Sequence, residues 1–444
     1  MVSAKEKVLQ SISSADVKFV NLQFIDIYGT VKNVTIPSSQ LEGSMKDGTW
    51  FDGSSIEGFA RIHESDMYLM PDPETYSVLP WSTDKRTARI ICDVYMPDKT
   101  PFTGDPRYIL KKTMEEAEKM GFVFNTGPEP EFFLFKTEDG IPKPLPNDVA
   151  GYFDYAPMDI ASDVRNDISL ALQEMGMKVE ASHHECAAGQ HEIDFEYDNA
   201  LRTADNVTTF KHAVKSIAQA HGLHATFMPK PIFGVAGSGM HVHQSLFDTK
   251  GNTAFFDPND KFHLSEVAKH FIAGQLKHIR EISAIVNPTI NSYKRLVHGY
   301  EAPVYVCWAQ KNRSALIRIP RYTEGKEKAV RAELRCPDPS ANPYTAFALM
   351  LAAGLDGIKN KIEPPAPVEE DVYKYDDQKL KELKMSTLPI DLGHALELFK
   401  ASHLCKETLG EHAFEYFITG KKAEWRDYRI RVTDWEIERY LKVL

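Results

Sequence analysis

Glu129 and Glu131 stand two residues apart in Gly127-Pro-Glu-Pro-Glu-Phe-Phe-Leu-Phe135, within a strand-forming run. Side chains of an extended strand alternate faces, so positions i and i+2 point the same way. Both carboxylates therefore share one face. Like charges that close repel unless a proton or a cation sits between them, so the pair asks for an acid/base role or a metal, and a buried cation is the more economical answer.

The pattern recurs. In Gln190-His-Glu-Ile-Asp-Phe-Glu-Tyr197 the spacing puts Glu192, Asp194 and Glu196 on one face and Ile193, Phe195 and Tyr197 on the other. His241, His243 and Ser245 share a face in the next such run, and Arg331, Glu333 and Arg335 in a fourth. One such strand is an ordinary amphipathic surface strand. Four together, with histidines at alternate positions and arginines flanking a glutamate, suit carboxylate-rich metal coordination with cationic residues beside it to hold anions. Many carboxylates, few histidines and no clustered cysteines favour Mg²⁺ or Mn²⁺ over Zn²⁺. His183-His184-Glu185 invites a zinc-protease reading, but that motif needs a second His where Ala188 stands. No Gly-x-x-x-x-Gly-Lys-Ser/Thr loop is present either, so the residues alone point to a Mg²⁺/Mn²⁺ site handling an anionic substrate.

Elements must hold these faces in place. Val17–Asp26, Val31–Ile36 and Arg86–Tyr95 read as strands, making the first hundred residues a small β-rich unit. Asp105-Pro106 caps a helix over Arg107–Met120 that Gly121 closes. Beyond it strands alternate with helices at Asp163–Met175, Ala204–Ala220, Ser265–Ile285 and Pro343–Lys359, and the last 70-odd residues read as helical. No internal repeat is visible. At 444 residues, two domains are expected. With 43% hydrophobic and 26% charged residues the chain is of globular type, and a net charge of −11 without a basic block excludes nucleic acid and membrane as partners. Five scattered cysteines fit reduced thiols in a cytoplasm, and no stretch reads as a signal peptide or membrane span.

Several longer motifs stand in a recognisable order: Phe51-Asp-Gly-Ser-Ser-Ile-Glu-Gly-Phe59, Gly127-Pro-Glu-Pro-Glu-Phe-Phe133, Gly237-Ser-Gly-Met-His241, Asn291-Ser-Tyr-Lys-Arg-Leu296, Gly299-Tyr-Glu-Ala-Pro303, Asn312-Arg-Ser314 and Asn342-Pro-Tyr344. From about Phe19 to the C-terminus the chain resembles the type I glutamine synthetases, in the α subgroup by length and loop content. The resemblance implies an α+β fold: a β-grasp-like N-terminal domain over 1–103 and a catalytic domain over 104–444, whose curved antiparallel sheet with flanking helices carries the metal strands. It implies nitrogen assimilation by ATP-driven amidation of L-glutamate, in which the γ-carboxylate attacks the γ-phosphate of ATP and ammonia displaces phosphate from γ-glutamyl phosphate. A glutamate–amine ligase taking a polyamine or ethanolamine, and a non-catalytic regulatory relative, are the alternatives.

By the same resemblance Glu131, Glu185 and Glu192 hold one Mg²⁺ or Mn²⁺ on the glutamate side, and Glu129, His241 and Glu333 hold another against the ATP phosphates. Arg313, Arg318 and Arg331 face phosphate, while Glu180, His243 and Ser245 contact ATP. Gly237, Arg295 and Arg335 bind glutamate. Asp52 takes the ammonium proton across a subunit boundary, with Asp66 in support, and Glu301 lies on a flap hinged at Gly299. Arg61 matches an arginine linked to glutamine feedback. The family's assembly is a homo-dodecamer of two stacked hexameric rings, cytoplasmic, with small regulatory proteins among the partners. Two departures stand out: Ala236 where the family has Asn, and His298 where it has Pro. Tyr373 lies near the family's adenylylation site, but the residues after it differ from the modified subgroup, so adenylylation is not expected.

Overall fold

The computed structural model describes residues 2–54, 56, 66–82, 86–375, 377–383 and 385–444. Near the N-terminus a six-stranded sheet runs in the order Val31–Pro37, Phe19–Ile25, Thr87–Tyr95, Asp66–Pro71, Thr49–Asp52, with Ser77–Val78 also on Thr87–Tyr95. Phe19–Ile25 and Thr87–Tyr95 pair in parallel, although they come from opposite ends of the unit. Leu22, Leu41, Leu69 and Ile90, all fully buried, centre its core. Two helices here, Ala4–Ser14 and Leu41–Asp47, were not among the strand expectations. The first carries a legible start signal: Ser3 and Glu6 form a reciprocal capping box.

The larger sheet has ten strands, along the path Trp308–Ala309, Ile317–Arg318, Ala332–Leu334, Met240–Asp248, Phe122–Glu138, Gln190–Phe195, Val179–His184. Every pairing along it is antiparallel except Trp308–Ala309 with Ile317–Arg318. Phe122–Glu138 is the spine, 17 residues long. Its inward face packs on the helices: Phe124 meets Phe271, and Phe132 meets Phe210. Helices Pro106–Lys119, Ser162–Glu174, Ala200–Ala220, Glu266–Val286 and Pro343–Lys359 fall within a few residues of expectation, and the chain ends in helices Leu392–Ala401, His403–Arg429 and Asp434–Tyr440. Asp105 accepts the Arg107 N–H with Pro106 at the first helical position, as the sequence indicates. All five cysteines are free.

One residue ties the two sheets. Arg107, 2% exposed, reaches Asp72 and Asp93 under the N-terminal sheet at 2.6 Å each and clasps Asp205 of the long helix through Nε and Nη2 at 3.0 Å. Tyr344 donates its hydroxyl to the same Asp205, at 2.7 Å.

Candidate active site

The sheet register brings the polar faces into one row. His241 stands opposite Glu129, Glu192 opposite Glu131, His183 opposite Glu192 and His243 opposite Glu333. Pro128 and Pro130 have no N–H to give, and the ladder toward Gln190–Phe195 stops at the Glu192–Glu131 pair. A cleft of about 410 Å³ opens there. It is lined by Glu129, Glu131, Glu185, Glu192, His241 and Glu333, and by Gly237, Arg295, Glu301, Arg313, Arg318 and Arg335. A second cavity of about 350 Å³ meets it at Glu129 and Asp194 and is lined by Glu180, His243, Ser245 and Arg331.

The two ends of this cleft differ in charge balance. At one end His183, Glu185 and Glu192 bring ligand atoms within 4.8 Å of one another, with buried Glu131 beside them. Burial, then the Glu185 and Glu192 charges, hold the Glu131 carboxyl well above the usual carboxylate range. Burial and the charges of Asp194, Glu129 and Glu185 do the same to Glu192, and burial raises Glu185 and Asp194, the latter to about 6. Three carboxylates this close lack the positive charge they need, and a hard dication fits their oxygen donors.

At the other end positive groups are already present. His243 brings Nε2 to 2.8 Å from Glu129, while its Nδ1 accepts from Arg331 Nε at 3.0 Å. His241 Nδ1 lies 3.5 Å from Glu129 and 3.8 Å from Glu333. Although burial opposes it, these histidines hold the Glu129 carboxyl far below the usual range. Burial and then Arg335 push His241 down to about 4, leaving a neutral imidazole with a lone pair to offer. Glu333 is clasped by Arg335 Nη1 at 2.6 Å and by Arg318 Nε. Glu129, His243 and Glu333 bring ligand atoms within 4.8 Å of one another, and His241 stands beside both carboxylates. Arg295 is buried and donates to the carbonyl oxygens of Arg335, Cys336 and Pro337 at 2.8–3.2 Å.

Some expectations change. The shared face of the second run reaches only Asp194, because the strand ends at Phe195 and Glu196 turns out to pair with Lys178 at 2.6 Å. Asp52 and Asp66 face each other across the N-terminal strand pair Thr49–Asp52/Asp66–Pro71, and neither lines this chain's cleft. Asp52 is exposed and accepts the Ser54 N–H at 2.8 Å. Arg61 lies outside the described residues.

Other residues join the site without having been picked out. Buried Gln190 donates Nε2 to Glu131 at 2.8 Å and to the Gly237 carbonyl at 3.2 Å. His183 Nε2 sits 3.2 Å from Glu192. Period-2 spacing was the available signal, since Gln190 precedes Glu192, and His183 precedes Glu185, by two residues. A Cβ on Gly239 would come within 2.6 Å of Arg295 Nη2 and 3.2 Å of Glu131, so only glycine lets those groups converge.

The flap shows conformational tension. Glu301 lines the cleft at φ +59°, uncommon for a residue with a Cβ, and Gly299 sits at φ +90°. Lys230 lies 3.7 Å from the Tyr300 ring centre, His298 Nε2 bonds the Tyr305 hydroxyl at 2.9 Å, and the Tyr373 hydroxyl donates to the Ala302 carbonyl. Ala236 lines the cleft beside Gly237.

Known proteins share this arrangement across the whole chain. Residues 16–97 match the family described as glutamine synthetase, beta-Grasp domain, and residues 103–440 that described as glutamine synthetase, catalytic domain. A glutamine synthetase of Clostridium saccharobutylicum is 54% identical over 439 residues, 98% of both chains. One of Thermotoga maritima is 53% identical over 438 residues, covering 98% of this chain and 99% of that one. A solved GmaS complex with ADP superposes with a TM-score of 0.90 at 32% identity and covers 100% of both chains.

Proposed function

The chain belongs to the glutamine synthetase family and carries out the ATP-dependent amidation of L-glutamate with ammonia to L-glutamine, and from that premise we propose how its residues divide the reaction. Glu131, Glu185 and Glu192 hold one Mg²⁺ or Mn²⁺, and Glu129, His241 and Glu333 hold a second, with His243 near enough to Glu129 to orient it. Such cations, when bound, neutralise charge on the transferred phosphoryl oxygens. The observation that carries this reading is the crowding of three carboxylates with raised pKa values at one end of the cleft.

Glutamate enters beside Gly237, with Arg295 and Arg335 toward its carboxylates. ATP occupies the cavity of Glu180, His243 and Ser245, its phosphates toward Arg313, Arg318 and Arg331. The substrate γ-carboxylate oxygen attacks the γ-phosphorus, the bond to ADP breaks, and γ-glutamyl phosphate forms. Arg318 and Arg335 hold Glu333, and with a cation held at Glu333 they would be free to turn to the substrates. Ammonia then attacks the acyl carbon and expels phosphate, while the Glu301 flap keeps water from the acyl phosphate.

Asp52, supported by Asp66, lies away from its own cleft and serves a neighbouring subunit's, attracting ammonium and accepting its proton. This requires an assembly, which we take to be two stacked hexameric rings. The chain divides into an N-terminal domain over 1–103 and a catalytic domain over 104–444. No helix among the described residues is long and apolar enough to cross a membrane, in keeping with a cytoplasmic enzyme of small-molecule substrates.

Mn²⁺ titration followed by electron paramagnetic resonance tests the metal division. Wild-type protein binds two ions per subunit at the cleft, Glu185→Gln loses one of them, and Glu129→Gln loses the other. Retention of both ions in either variant would refute the assignment.

A further inference from the structure

Behind the cleft, between the N-terminal turn at Tyr28–Val31 and the long helix Ala200–Ala220, lies a third cavity of about 570 Å³, larger than either half of the active cleft. Thr208, Lys211, His212 and Lys215 line it from the helix. Their i, i+3, i+4, i+7 spacing puts all four on one helical face. Among the described residues no acidic one is in the lining, although the chain as a whole carries a net charge of −11.

Among the described residues the cations here are not paired with carboxylates of the lining. Among the described residues neither Lys211 nor Lys215 has a carboxylate partner: Lys211 donates to the Ala341 carbonyl at 2.9 Å, and the Lys215 ammonium lies 5.8 Å from the Phe227 ring centre. Asp338 attracts Lys211 from outside the lining, but it is engaged by Asn287 at 3.0 Å and by the Ser340 N–H at 2.9 Å. Burial, then the Lys215 charge, lowers the pKa of Lys211. Two lysines a turn apart repel one another, and an anion between them would reverse that penalty. His212, its ring edge against Trp81, is held toward the neutral form by burial and by Arg89 and Lys215. It can therefore donate or accept a hydrogen bond. Thr30, Thr208, Thr226, Thr289, Ser340 and Asn291 also line the space, but Thr208, Thr289 and Ser340 already hydrogen-bond Ala204, Ser292 and Asp338, and the Asn291 amide is taken up by Lys230.

We propose that this cavity between the N-terminal sheet and the long helix binds a small organic polyanion, a polycarboxylate or a phosphate ester, with Lys211 and Lys215 as its charge partners and His212 beside them. The same walls reach the cleft. Pro229 lines the cavity and its carbonyl accepts the Ser238 N–H at 2.8 Å, next to Gly237. Asn291 lines it too and brackets Lys230, accepting its N–H at 2.7 Å and donating to its carbonyl at 3.0 Å, while the Lys230 ammonium rests on Tyr300 of the flap. Occupancy therefore bears on the glutamate loop and the flap, and the ligand changes the KM for glutamate more than kcat. That consequence rests on the reading of the cleft given above; the binding itself does not.

Isothermal titration calorimetry of the full protein, with Mg²⁺, ADP and L-glutamate present to fill the cleft, tests the site using succinate, a weak Mg²⁺ chelator, for the carboxylate class and glycerol 3-phosphate for the phosphate class. At least one probe binds saturably, and Lys215→Glu, a change at an exposed position, weakens it at least ~10-fold through charge reversal. Lys211→Met weakens the same probe, and both variants keep amidation in its absence. No saturable binding of either probe to the wild type, or undiminished binding to Lys215→Glu, overturns the proposal. Amidation assayed on the same samples reports separately on the cleft.

Discussion

At the scale of single residues, the cleft is a lesson in uneven compensation. Glu129 and Glu131 leave the same strand on the same face, yet two histidines hold the first ionised while burial and two more glutamates press the second toward its protonated form. Gln190 fixes Glu131 from behind, and residues that orient a metal ligand typically govern metal affinity by ~10–100-fold. Gln190→Leu should therefore weaken only the Glu131 ion by that factor in the Mn²⁺ titration; an equal effect at both ions would assign Gln190 a general structural role. Much of this was legible in the sequence, because the period of two fixes which side chains share a face. What was not legible depends on register across three strands. That Arg318 rests on Glu333 follows from the pairing of Ile317–Arg318 with Ala332–Leu334, which no local pattern announces, whereas Arg335 reaches Glu333 from two residues along the chain. That Glu196 leaves the row follows from where its strand ends.

At the scale of elements, the sheet is steadied by a close helix crossing. Gly274 of Glu266–Val286 meets Gly357 of Pro343–Lys359, where a Cβ on Gly357 would stand 2.0 Å from the His270 carbonyl oxygen. Backbone cannot yield as a side-chain tip can, so Gly357→Ala forces the helices apart and costs about 1–3 kcal/mol or more. Gly43, in the helix Leu41–Asp47, has nothing within 4 Å of its Cβ position, and Gly43→Ala is neutral or stabilising by up to about 1 kcal/mol. Urea unfolding of the two variants checks the contrast; equal effects would contradict it. The long helix after Asp105 was readable from its Asp-Pro start. The short helix Leu41–Asp47 was not, since seven residues carry too little periodicity and no side chain caps its start.

At the scale of the whole molecule, Arg107 locks the N-terminal sheet to the catalytic helices through Asp72, Asp93 and Asp205. Removing a buried partner strands the charges it neutralised, so Arg107→Met should cost about 3–5 kcal/mol and let the N-terminal unit melt separately, as seen by calorimetry. A single unchanged transition would count against that lock. Docking of the two units matters because Asp52 sits on the N-terminal sheet and, in the function proposed above, acts on another subunit's cleft. Asp52→Ala should abolish most amidation while ATP binding persists; loss of both together would remove it from the ammonium site. The division of labour between subunits was reachable only through family resemblance, since nothing in one chain's pattern tells an aspartate which copy it serves.

This cleft joins ammonia, rather than a larger amine, to an activated glutamate. That preference is tested most directly by phosphate release from ATP with Mg²⁺ and glutamate, comparing ammonium with ethanolamine and polyamines at equal concentration. The account predicts release driven by ammonium well above that with any organic amine. A preference for an organic amine, or no release with any of them, would contradict it.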